Sequence, residues 1–143
     1  MEIASDELPQ GINVSLFLEG SEGDNILSGN LSGSYDPGLY QIPGDITILE
    51  SDTVYLYAGT EFLFQNEAHF NIYGTLKAIG AENDSIIFDN FGDQGSRWGG
   101  ITLDEVSNET IFEYVRVSGA QKYKGAGMLL ENSEPILRHV NIS

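Results

Sequence analysis

The chain has 143 residues with 22 acidic and 6 basic side chains, a formal net charge of −16, and no cysteine. That balance excludes charge-driven binding to DNA, RNA or an anionic membrane, because phosphate contacts need Lys and Arg, and it excludes disulfides and thiolate metal sites. A hydrophobic content of 41% suits a folded domain, and no apolar run approaches the ~20 residues of a membrane-spanning helix.

Residues 1–43 read as a tail and N-terminal cap. Met1-Glu-Ile-Ala-Ser-Asp has neither the basic nor the apolar stretch of a signal peptide. Ile12-Asn-Val-Ser-Leu-Phe-Leu18 alternates apolar and polar, and with Ile26, Leu27 and Tyr40 it is expected to cover the exposed edge of the first coil. From Gly44 to Ser143 the pattern is short apolar runs cut by glycine: Ile46–Ile48, Val54–Tyr57, Glu61–Phe64, Phe70–Tyr73, Ser85–Phe88, Gly100–Asp104, Ile111–Ser118, Gly127–Glu131 and Ile136–Ser143. Each run suits a three- to five-residue strand or a little more, and no helical period of 3.6 is present. The class is all-β.

The runs repeat. Ile111–Ser118 matches Ile136–Ser143 at an offset of 25. Going backward, Ile86-Ile87 is placed 25 before Ile111-Phe112, and Phe62-Leu-Phe64 is placed 24 before Ile86-Ile-Phe88. A second ladder runs Ile46/Ile48, Phe70/Ile72, Ile101/Leu103, Met128/Leu130, and a third joins Val54/Leu56 to Leu76/Ala78. Three short strands recurring at about 25 residues predict a right-handed parallel β-helix, a solenoid of about four coils. Asn-Gly and Asp-Gly hairpin pairs are absent, which counts against an antiparallel sandwich or barrel. Coils ~4.8 Å apart stack equivalent side chains. Glu113 is therefore expected to pair with Arg138, for at most ~1 kcal/mol, and Tyr114 to lie against His139. No cap follows Ser143, so the last coil is expected to self-associate through its open edge or to be part of a longer solenoid.

Several stretches carry a resemblance. Gly44–Phe64, Ile72–Phe88, Trp98-Gly-Gly-Ile101, Gly125–Met128 and Asn132–Ile136 follow, in order, the phrases of pectate-lyase-like parallel β-helix proteins. They are most similar to the large secreted surface proteins of Bacteroidetes-type marine bacteria. The resemblance implies an extracellular or cell-surface setting. It spans a family of lyases, hydrolases, epimerases and non-catalytic adhesins, so it does not choose among them.

The candidate sites follow from side-chain chemistry. Asp89, Asn90 and Asp93 form a glycine-flanked turn of hard oxygen donors, for which calcium would be the ion. It lacks the closing bidentate Glu of a full calcium loop. With Val54 and Leu56 inward, Tyr55 and Tyr57 should point outward, with Tyr73 nearby one coil on, and an exposed ring offers a sugar its apolar face and polar tip. Asp104 and Glu131 should stack in successive coils, with Arg116 as the base a lyase would need. The reading preferred on sequence is a non-catalytic structural or adhesive β-helix segment that contacts a polysaccharide or cell-surface glycan. The alternative is a carbohydrate-active enzyme, a polysaccharide lyase or glycoside hydrolase.

Overall fold

The structure is a computed structural model that describes residues 25–92, 97–120 and 127–143. Fourteen strands follow one another among these residues, with no helix between them. They are β1 (Asn25–Ile26), β2 (Gly29–Asn30), β3 (Gly33–Tyr35), β4 (Gly38–Ile42), β5 (Ile46–Ile48), β6 (Thr53–Tyr57) and β7 (Thr60–Phe64). The second half adds β8 (His69–Ile72), β9 (Thr75–Ile79), β10 (Ile86–Asn90), β11 (Gly100–Asp104), β12 (Ile111–Val117), β13 (Met128–Glu131) and β14 (Ile136–Ile142).

Every strand pairs in parallel with a strand one coil away, so the chain winds as a β-solenoid of about four turns. One face stacks β2, β5, β8, β11 and β13. A second stacks β3, β6, β9 and the first half of β12 and β14. A third stacks β1, β4, β7, β10 and the second half of β12 and β14. The ladder is already in place at Asn25, inside the stretch that reads as tail and cap. Tyr40 of that stretch is a core residue, edge-on to Phe62 at 5.5 Å. Ile12–Leu18, the proposed cap itself, lies outside the described residues.

Three of the expected registers hold, among them Ile111 on Ile136 at the offset of 25, and two shift. On the first face Ile46, Phe70, Ile101 and Met128 stack as the spacing predicts, and β6 lies on β9 with Val54 against Leu76. On the third face Phe62 stacks on Phe88, not Ile86, and Ile86 stacks on Val115, not Ile111. The cause is the corner between the second and third faces, which changes length from coil to coil. It is Asp36-Pro37, then Ala58-Gly59, then the six residues 80–85, then the single residues Tyr114 and His139 inside continuous strands. Tyr114 and His139 turn the chain with left-handed backbone, φ 52° and 54°. Such residues cost roughly 1 kcal/mol each, offset here by their rings, which stack at 4.4 Å and 5°. The six-residue corner is closed by an Ala81–Asp84 bridge and rests over Gly59, where a Cβ would lie 3.1 Å from an Asp84 carboxylate oxygen. A constant offset therefore slips Phe62 by two residues along the third face and compares Ile86 of that face with Ile111 of the second.

Alternation sends one residue of each pair inward. The interior is an aromatic column flanked by aliphatic ladders. Phe62 touches Tyr40, Phe64, Phe70 and Phe88 at ring separations of 5.5 to 6.3 Å. Trp98 stacks on Phe64 at 4.1 Å and donates its indole N–H to the Ser118 carbonyl at 2.7 Å. Among the described residues one buried side-chain polar atom lacks a hydrogen-bond partner, the hydroxyl of Thr60, which stacks on Gly38 of the coil below. Thr110 is also buried, but its hydroxyl accepts from the Leu76 N–H at 3.1 Å.

Candidate functional site: the outward tyrosines and an acidic corner cleft

The side chains that alternation sends outward differ from face to face. On the first face they are Asn30, Thr47, Asn71, Thr102 and Leu129, a mainly polar ladder. On the second face two columns run side by side. One is Ser34, Tyr55, Lys77, Ile111, Ile136; the other is Tyr57, Ile79, Glu113, Arg138. Tyr55 and Tyr57 are both exposed, two residues apart on β6. The Tyr57 hydroxyl shares a 3.2 Å hydrogen bond with the Ser34 hydroxyl of the coil below. The Glu113–Arg138 pair forms at 3.9 Å.

Tyr73 lies at a different place, the corner that leaves the first face. There it lines a cleft of about 260 Å³ with Leu49, Glu50, Asp104 and Glu105. Three successive coils supply these residues. Gly74 makes the Tyr73 corner tight: a side chain at that position would run into the Leu49 and Asp52 carbonyls of the coil below. Glu105 turns its own corner at φ 57°, and Asp104 stacks under Glu131 as the ladder requires. The wall of the cleft is thus one tyrosine ring, one leucine and three carboxylates. Such a surface favours a neutral or cationic group with an apolar side and opposes a polyanion. The sequence pointed to Tyr73 and Asp104 but not to Glu50 or Glu105, because nothing in the spacing reveals that their corners adjoin.

The remaining candidates are dispersed. Arg116 projects from the third face, in the column Leu39, Glu61, Ile87, Arg116, Asn141. Asp104 and Glu131 belong to the first, so the structure does not bring the three together. Asp89 and Asn90 end β10. The Asp89 carboxylate accepts the Asn90 backbone N–H at 2.7 Å, and both side chains crowd Gly119 so closely that a Cβ would not fit there. Asp93, the third proposed calcium donor, lies outside the described residues. Among the described residues no three His, Asp or Glu side chains converge as a metal site. His69 receives Asp45 from below: the carboxylate accepts the His69 backbone N–H at 2.8 Å and lies 3.7 Å from the ring.

Comparison with protein-family models, with curated proteins and with solved structures returns no match to this chain. What the chain is therefore rests on its geometry: it is a parallel β-solenoid of about four coils, with aromatic side chains displayed outward.

Proposed function

We propose that the chain is a non-catalytic structural or adhesive segment of a secreted or cell-surface protein, of the pectate-lyase-like β-helix kind, which contacts glycans through Tyr55, Tyr57 and Tyr73. The observation that carries this reading is the exposure of all three rings on a backbone tied to neighbouring coils, Tyr55 and Tyr57 within the β6 ladder and Tyr73 by its N–H to the Ile48 carbonyl at 2.9 Å. A ring held on a rigid face loses little conformational entropy when a sugar stacks on it. Three carboxylates around Tyr73 favour neutral or amino-bearing sugars over uronates. Any calcium would be held at Asp89 and Asn90 with Asp93.

The test is a panel of neutral, basic and acidic polysaccharides in affinity electrophoresis, run with calcium and with chelator. Retardation by a neutral or basic glycan is expected, and it should be lost in the Tyr55→Ala/Tyr57→Ala/Tyr73→Ala variant with the circular dichroism unchanged. Binding that survives the triple substitution would remove the tyrosines from the proposal. New reducing ends or unsaturated uronate products would replace it with the enzyme reading and direct mutation to Asp104, Glu131 and Arg116.

A further inference from the structure

The corner between the first and second faces also varies in length. Residues 49–52 span it between β5 and β6, Tyr73 and Gly74 alone between β8 and β9, and residues 105–110 between β11 and β12. The shortest corner therefore sits recessed between two longer ones, and the cleft opens there. Tyr73 follows Ile72, which stacks between Ile48 and Leu103, so Leu49 and Asp104 flank its ring from the coils below and above.

Past Gly74 the chain enters β9 at once, and β9 lies on β6. Thr75 stacks on Thr53, Lys77 on Tyr55 and Ile79 on Tyr57. Val54, Leu56, Leu76 and Ala78 are buried between them, so these six side chains face outward. Successive outward positions on a strand lie ~6.6 Å apart. Tyr73, the threonine pair, Tyr55 and Tyr57 therefore follow one another in the strand direction, across the solenoid axis and not along it. All three rings belong to two adjacent coils, with β3 paired below β6 and β12 above β9. The hydrogen bond to Ser34 at 3.2 Å holds Tyr57 at the far end. Charge changes sign along this line. Glu50, Asp104 and Glu105 stand at the cleft, and Lys77 stands beside Tyr55. A polyanion is opposed at the first place and a polycation at the second, whereas a neutral chain is opposed at neither.

We propose that the three tyrosines form one path, on which a single linear, neutral glycan lies across the solenoid axis, with one end in the Tyr73 cleft and the other on Tyr57. The inference rests on the glycan reading and narrows it to one chain, one direction and one charge class. A short sugar reaches one end of the path only. A chain long enough to reach both gains from holding two contacts at once.

Isothermal titration with β-linked oligomers of glucose, xylose and N-acetylglucosamine, from dimer to octamer, tests it, with glucosamine and galacturonate octamers as charged controls. At least one neutral series should bind with an affinity that rises about tenfold or more with length and then levels off. Tyr57→Ala and Tyr73→Ala should each weaken the neutral octamer about five- to tenfold and bring the plateau to a shorter oligomer, with the circular dichroism unchanged. Tyr73→Phe keeps the ring and should keep the length dependence. Lys77→Glu should admit the glucosamine octamer, because the opposing charge on the path is then gone. A neutral octamer indifferent to either alanine substitution, affinity independent of length, or a wild-type preference for either charged octamer would overturn the path and leave the glycan reading standing. No binding by any oligomer, neutral or charged, would remove both.

Discussion

Alanine substitution along one inward column should measure how protection varies from the middle of the solenoid to its last coil. Phe62, Phe88, Val117 and Ile142 occupy equivalent places in successive coils. Phe62 is fully buried and touches four other rings, so Phe62→Ala opens an enclosed cavity and should cost about 3–5 kcal/mol. Ile142→Ala removes the equivalent of three methylenes from a residue that is 44% exposed and leaves no cavity. At about 0.8 kcal/mol per fully buried methylene, scaled to the buried portion, the loss is about 1.3 kcal/mol. The gap of roughly 2–4 kcal/mol is a large share of the roughly 5–15 kcal/mol that holds a typical domain together. Urea unfolding followed by Trp98 fluorescence and circular dichroism measures both variants at unchanged m-value. Equal losses within about 0.5 kcal/mol would refute the reasoning, because burial along the column would then not set the energetics.

Two further predictions concern single groups. Thr60→Val keeps the shape of a buried side chain and removes a hydroxyl without a partner, so it should raise stability by about 1 kcal/mol in the same urea assay; a loss of stability would mean that the hydroxyl is satisfied in solution. Tyr40 titrates above its ordinary value, chiefly because it is buried and secondarily because of the Asp36 carboxylate, and its hydroxyl donates to the Asp36 carbonyl at 2.6 Å. A raised tyrosine favours the fold while neutral, so its contribution is complete below pH 10 and is lost as pH rises through the folded value. Stability of the wild type should therefore fall more steeply above pH 10 than that of Tyr40→Phe, and parallel alkaline profiles would remove Tyr40 as the cause.

The fold was legible where local pattern and coil geometry agree. Ile46 and Phe70 alternate cleanly with polar neighbours, and the first-face ladder they share with Ile101 and Met128 holds even across a coil in which Phe70 meets Ile101 31 residues on. The third face was misregistered because corner length has no reliable marker in the sequence. Tyr114 turns a corner alone in a conformation for which glycine would be the usual cue, while the six-residue corner 80–85 has the composition of any loop. The exposure of Tyr55 and Tyr57 was legible because outward positions follow from inward ones, whereas Tyr73, expected beside them one coil on, lies at the corner that leaves the first face. The cleft around Tyr73 was not, since Glu50, Asp104 and Glu105 meet only once the stacking of three coils is known. The stack of Trp98 on Phe64 was not legible either, since nothing in the repeat shows that these two rings meet.

The variable corner between the second and third faces separates length from shape. One residue, two residues or six span the same turn, and the ladders on either side keep their partners. New sequence entering between Ile79 and Ile86 would thus be carried at a fixed height on a stiff rod while the hydrophobic interior stays as it was. Altering the number of coils would move that attachment point along the rod by about 4.8 Å per coil. The molecule therefore behaves as a graduated support, on which displayed segments can be exchanged and spaced independently of what keeps it folded.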